Sequence, residues 1–148
     1  VFNFHDWSAK MFKLNKGRHS VYSLTVHLVF VCKRRGKVFT AAHLDALHEM
    51  FDKVADEFES ELLEFNGEED HVHLLLSYPP KHSLSTIINS MKGVSSRRLK
   101  TLFPEVSNFW SVAKSDGALW SPSYFASSTG GAPIEVLKRY IQNQDRPS

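Results

Sequence analysis

A single cysteine, Cys32, stands among 148 residues. That excludes an internal disulfide and any thiolate cluster able to hold a structural zinc. No apolar run approaches the roughly 18 residues of a membrane-spanning helix, so no membrane association is expected. A charged start leading into an apolar run and a small-residue cleavage site is also missing, and secretion is not expected. There is no Gly-rich loop ending in Gly-Lys-Ser/Thr, no dinucleotide fingerprint, no His-Glu-x-x-His and no Gly-x-Ser-x-Gly elbow. Nothing therefore calls for a nucleotide cofactor, a metalloprotease helix or a serine hydrolase. Neither sign of charge dominates: 18 basic against 16 acidic residues give +2. What is present is an ordinary globular composition, 42% hydrophobic and 23% charged, read as one soluble, cytoplasmic domain.

The net charge says little about partners, but its distribution says more. Lys33, Arg34, Arg35 and Lys37 form one basic cluster, and Lys92, Arg97, Arg98 and Lys100 form another, whereas 56–70 is strongly acidic. Local basic patches on a near-neutral chain can attract phosphate, although solvated helix and turn faces have the same composition.

Residues 1–18 show no clear period and read as an N-terminal extension. From Val21, alternation places Tyr22, Leu24, Val26, Leu28 and Phe30 on one face of a strand that is apolar on both sides, hence central. Thr40 caps a helix to about residue 60, with Leu44, Leu47, Met50, Phe51, Val54 and Phe58 inward. Strands are expected at 62–66 and 71–77, separated by a turn at Gly67 and ended by Pro79 and Pro80. Ser83 opens a second helix that stops before Pro104. A short helix and loop over 104–115, a strand near 119–127 and a last helix from Pro133 to about residue 144 complete the chain. The order β-α-β-β-α-β plus a helix is an α+β, ferredoxin-like (split βαβ) antiparallel sheet with helices on one side.

Within this frame, His71 and His73 flank Val72 on a strand, so both imidazoles point to one face, opposite Val72, Leu74 and Leu76. Two such imidazoles can chelate a divalent metal. The pair alone is a weak signal, since eight histidines in 148 positions produce roughly 0.4 such pairs by chance. On the last helix Tyr140 and Gln144 share a face, flanking the stripe of Ile134, Leu137 and Ile141. A tyrosine can pack there, or its phenolic oxygen can act as a nucleophile, with Gln144 lending a carbonyl oxygen to a metal. Gly130–Gly131 before this helix allows a hinge. Gly93 inside the second helix suggests close approach by another backbone. Trp120, Tyr124 and Phe125 fit core packing better than base stacking.

Taken together, Asp70-His-Val-His-Leu-Leu-Leu76, Met91-Lys-Gly-Val-Ser-Ser-Arg97, Leu119-Trp-Ser-Pro-Ser-Tyr124 and Tyr140-Ile-Gln-Asn-Gln144 resemble one family. It is the single-tyrosine HUH (His-hydrophobic-His) transposases of the IS-two-hundred/six-hundred-five insertion sequences. Val26-His-Leu-Val-Phe30 followed by Cys32-Lys-Arg-Arg35 is similar to that family's opening strand. The matching motifs run from about residue 20 to 144, dividing the chain into an extension, 1–18, and an HUH domain, 19–148. The resemblance implies a homodimer that cuts and rejoins single-stranded DNA at hairpin-bearing element ends through a 5′-phosphotyrosine. It implies Tyr140 as nucleophile, on the C-terminal helix, and His71, His73 and Gln144 as ligands of Mg²⁺ or Mn²⁺; Gln142 falls on another face. Lys92, Arg97 and Arg98, with Lys33, Arg34 and Arg35, are the expected DNA contacts. Two other readings remain: a domesticated relative that nicks hairpins, and a non-catalytic ferredoxin-like nucleic-acid binder in which His71 and His73 merely pack.

Overall fold

In the computed structural model, residues 14–17, 21–106, 118–128 and 142–143 are described. The main sheet has four antiparallel strands: β3 (Thr25–Val31), β4 (Glu61–Gly67), β5 (His71–Ser77) and β6 (Phe125–Ser128). Their spatial order is β4-β5-β3-β6, the split βαβ arrangement expected from the sequence. A small hairpin pairs β1 (Asn15–Lys16) with β2 (Val21–Tyr22). Helices α1 (Ala41–Glu57) and α2 (Leu84–Leu102) pack on each other and cover one sheet face.

Strand alternation decides which side chains meet those helices. Val26, Leu28 and Phe30 of β3 and Val72, Leu74 and Leu76 of β5 enter one core with Leu47, Phe51, Ile87, Ile88 and Met91. The central strand β3 is buried along its whole length, as its two-sided apolar content demands. Trp120 completes this core, its ring 5.8 Å from Phe30 and 5.6 Å from Phe39, while its indole N–H donates to the buried Ser95 Oγ at 2.9 Å. That bond offsets the cost of carrying a polar N–H inside.

Both helix starts follow capping chemistry. Thr40 Oγ1 accepts from the His43 N–H at 3.4 Å, and His43 Nδ1 accepts from the Thr40 N–H at 3.0 Å. A histidine thus takes the place usually held by Glu or Gln in a capping box. Ser83 caps α2 through the Thr86 N–H. Helix α1 ends at Glu57, sooner than its apolar spacing suggests, because Glu59 adopts a left-handed conformation (φ 54°) that reverses the chain.

Three further expectations are corrected. The first strand is interrupted after Tyr22, since Val21–Tyr22 pair with Asn15–Lys16 and only from Thr25 does the main ladder begin. The strand expected over 119–127 is reduced to a single bridge, Cys32 to Trp120, and then β6. Pro122 has no N–H to give a ladder, and the Lys92 ammonium takes the carbonyls of Ser121 (2.7 Å), Pro122 (3.4 Å) and Ser123 (3.4 Å). Among the described residues no other backbone presses on Gly93: a Cβ there would first meet the Arg97 guanidinium, at 3.2 Å. The tight approach is at Gly67, where a Cβ would fall 2.5 Å from the Leu44 side chain. Among the described residues no helix is long and apolar enough to cross a membrane.

Candidate metal and DNA-processing site

The sheet face turned away from α1 and α2 carries the histidines. His71 and His73 lie side by side on β5 with ring centroids 4.8 Å apart. Opposite them on β3, Val31 pairs with His71 and Val29 with His73. His71 Nδ1 lies 2.7 Å from Asp70 Oδ1. A carboxylate at that position favours the tautomer with the proton on Nδ1 and leaves Nε2 as a lone-pair donor, the usual orientation of a metal-ligating histidine. Asp70 is itself fixed at both ends. Its carbonyl accepts from the Cys32 N–H at 2.8 Å, and its carboxylate faces Arg35 Nε at 3.7 Å. Burial works to raise the Asp70 carboxyl, but the hydrogen bond and charge of His71 and the charge of Arg35 outweigh it and hold the group below the ordinary carboxylate range.

His73 is nearly buried, and burial together with the neighbouring imidazoles lowers its pKa to about 2. It is therefore neutral at any working pH, the form that binds metal. A third histidine, His27 of β3, shares this face, 6.2 Å from His73 and 6.4 Å edge-on from Phe125. Sequence reasoning did not single it out; its alternation, opposite to Val26 and Leu28, was the available signal. Burial lowers the His27 pKa to about 4. Both shifts go the same way: the folded state resists protonation that the unfolded chain accepts below about 6.5. Metal-free protein should be most stable above pH 6.5 and lose stability as pH falls toward 4. His27→Leu should flatten part of that fall, by up to about 3 kcal/mol. Urea unfolding at pH 7.5 and 4.5 measures the difference, and an equal loss in both proteins would show that His27 does not cause it.

The remaining expected residues are distributed as follows. Tyr140 and Gln144 lie outside the described residues, as do Gly130–Gly131 and most of the expected last helix. Gln142, between the two, is described: its carbonyl accepts from Arg35 Nη1 at 3.3 Å. Lys33, Arg34 and Arg35 form a short 3₁₀ turn directly after β3, with Arg34 (φ 58°) and Arg35 (φ 53°) left-handed. Arg34 is exposed. Arg35 faces Asp70, so of this cluster it is the member engaged with the histidine site. On α2, Arg97 and Arg98 are exposed, while half-buried Lys92 is engaged with the 121–123 carbonyls and sits 5.8 Å over the Tyr124 ring. Trp120 is a core residue, whereas Tyr124 is exposed.

Asp70 and Arg35 are the contributors whose roles the sequence hid. Among the described residues no cluster of three or more His, Cys, Asp or Glu side chains is poised around one ion. Two imidazoles alone are an incomplete donor set for a divalent ion.

Residues 20–144 match the family model described as "Transposase IS200 like". The chain is 30% identical over 133 residues to the ISDra2 transposase TnpA of Deinococcus radiodurans, covering 89% of this chain and 91% of that protein. It is 26% identical over 126 residues to the transposase for insertion sequence element IS200 of Salmonella typhimurium, covering 85% and 80%. A crystal structure of a candidate transposase from Deinococcus radiodurans R1 superposes with a TM-score of 0.76 at 31% identity, covering 89% of this chain and 98% of that one.

Proposed function

This chain belongs to the IS200-like transposase family, and on that premise we propose that it cuts and rejoins single-stranded DNA at hairpin-bearing element ends, with Tyr140 as nucleophile. The observation that carries the reading is the His71–His73 pair, turned to the face away from the helices, with His71 held by Asp70. A packing role alone would not require a carboxylate to orient an imidazole Nε2 outward.

The donor chemistry fits a divalent ion. His71 Nε2 and the neutral His73 would be two ligands, and the Gln144 carbonyl oxygen would be a third. Mg²⁺ or Mn²⁺ is expected, the nitrogen share favouring Mn²⁺. When bound, such an ion supplies Lewis-acid polarisation of a phosphoryl oxygen and orientation of the scissile bond. The chain's own chemistry is the displacement. The Tyr140 oxygen bonds to phosphorus as the bond from phosphorus to the 3′ oxygen breaks. The phenolic proton is lost to solvent, and the departing 3′ oxygen takes up a proton from solvent, so that strand leaves with a 3′-hydroxyl. A 3′-hydroxyl from another strand then attacks the 5′-phosphotyrosine and releases the tyrosine. One phosphate ester is exchanged for another in each step, so no nucleotide cofactor is needed. The same premise implies a homodimer, which light scattering at micromolar concentration checks directly.

The test is incubation with Mn²⁺ or Mg²⁺ and oligonucleotides carrying candidate element ends. A protein–DNA band should survive denaturing electrophoresis with single strands, and chelation should abolish it. Its absence with every single-stranded end, alongside tight DNA binding, would instead favour the non-catalytic binder.

The exposed Arg97 and Arg98 of α2 are proposed as phosphate contacts, together with Arg34, Lys33 and the neighbouring Lys92. Arg97→Ala combined with Arg98→Ala should weaken single-strand binding and make its salt dependence shallower, by roughly 0.7 in log–log slope per lost contact. An unchanged slope in filter binding between 50 and 300 mM salt would return both arginines to solvent.

A further inference from the structure

We propose that Tyr124 is a stacking platform for an unpaired nucleobase, held at the flank of the sheet beside the histidine site by the Lys92 ammonium. The proposal rests on the single-strand reading given above and adds to it a base contact that neither the histidine pair nor the basic clusters supply. Packing is the ordinary fate of an aromatic side chain, and the residues around Tyr124 follow it. Trp120 is buried in the core, and Phe125 is half-buried with its ring centroid 6.4 Å from that of His27. Tyr124 departs from that pattern. At 37% exposure it is the one phenylalanine, tyrosine or tryptophan among the described residues that is exposed. Exposure alone assigns it nothing; the surroundings of the ring do.

The loop that carries the ring is held from two sides. Lys92 Nζ donates to the carbonyls of Ser121, Pro122 and Ser123 and sits 5.8 Å from the centroid of the Tyr124 ring, within cation–π range. A half-buried ammonium thus fixes the backbone on which the ring stands and meets the ring itself from the side of α2. On the other side, the Ser121 N–H donates to the Val31 carbonyl at 2.7 Å, and Phe125 pairs with Val29. Val31 and Val29 are the cross-strand partners of His71 and His73. The loop therefore leaves β3 level with one histidine and rejoins it level with the other, two strand spacings, about 10 Å, from β5. At about 3.4 Å per stacked nucleotide, a strand whose phosphate lies at the histidines brings a base roughly three nucleotides away to that flank. Among the described residues β6 ends the sheet on this side, so a strand leaving the histidine face over that edge meets Tyr124. Every base has a π-face, so such a platform favours unpaired DNA over duplex without reading one sequence.

The experiment measures binding without metal, so that no strand is cut, by full-length Tyr124→Ala and Tyr124→Phe proteins. The probe is a DNA hairpin with a single-stranded dT tail that carries 2-aminopurine, an adenine analogue whose fluorescence drops on stacking, at successive tail positions. The same hairpin without a tail is the control. The unsubstituted protein should quench the probe at particular tail positions. Tyr124→Ala should lose that quenching and bind the tailed hairpin about tenfold more weakly, while its affinity for the blunt hairpin and the slope of its salt dependence stay unchanged. Tyr124→Phe keeps the ring and should behave as the unsubstituted protein does. Equal affinity and quenching in Tyr124→Ala would overturn the platform, and an equal loss toward tailed and blunt hairpins would reduce Tyr124 to support of the loop. A loss in Tyr124→Phe as large as in Tyr124→Ala would make the hydroxyl, not the ring face, the contact. Failure of the phosphotyrosine assay leaves this test standing, because it involves no cleavage. Failure of the unsubstituted protein to bind the tailed hairpin would overturn the platform and the single-strand reading together.

Discussion

Tyr140→Phe should leave a protein that folds, binds single-stranded DNA and binds Mn²⁺ as before, yet forms no covalent DNA adduct. The substitution removes one oxygen and keeps the ring, so any packing that Tyr140 makes is retained and only its nucleophile is lost. Removing an attacking group from a site whose parts act as a unit costs several orders of magnitude; here the cleavage rate should fall by more than about 10³-fold. Denaturing electrophoresis of a labelled strand reads both outcomes at once, since the adduct migrates with protein and the free product with short DNA. Two results would contradict the assignment in different ways. An adduct that persists in Tyr140→Phe moves the nucleophile to another residue. Cleavage that persists without an adduct makes water the attacking group, and the rejoining reaction then loses its stored ester.

Much of this site was readable because a strand has a period of two. Val72, Leu74 and Leu76 had to share a face once Val26, Leu28 and Phe30 needed partners, and His71 and His73 were thereby sent to the other side. The helix boundaries were readable for a different reason: Thr40 and Ser83 carry the side-chain oxygens that unsatisfied first-turn N–H groups require.

What stayed hidden depended on pairing across the fold. Asp70 lies at the end of an acidic run and looked like more solvated charge; only the turn between β4 and β5, with its carbonyl bonded to Cys32, brings it against His71. Arg35 sits in a run of four basic residues within five positions and looked like a phosphate patch. Its left-handed backbone carries no glycine to advertise it. Lys92 was legible as a basic residue, but its bonds to the carbonyls of the irregular 121–123 stretch were not. Alternation put His27 in reach, but a lone histidine in an apolar strand more often reads as core.

His73→Ala should abolish cleavage more completely than any change in the basic clusters, and it should do so by loss of metal. His73 lies within the row of imidazoles, 4.8 Å from His71 and 6.2 Å from His27, on a nearly buried stretch of β5. Because burial and its neighbours keep it neutral, it offers its lone pair without first giving up a proton, and alanine has nothing to substitute. The polarisation that a metal supplies is worth several kcal/mol, so cleavage should fall by on the order of 10³-fold or more at any pH between 6 and 9. Isothermal titration with Mn²⁺ should show heat for the unsubstituted protein and little or none for His73→Ala. Removing a buried ring also leaves a cavity, so the control is a thermal melt without metal, expected to shift by only a few degrees. Asp70→Asn separates orientation from ligation: it keeps both imidazoles and should weaken Mn²⁺ by about 10–100-fold rather than eliminate it. If His73→Ala binds Mn²⁺ as well as the unsubstituted protein does, the histidine pair is not the metal site and the ligands must be sought elsewhere on the chain.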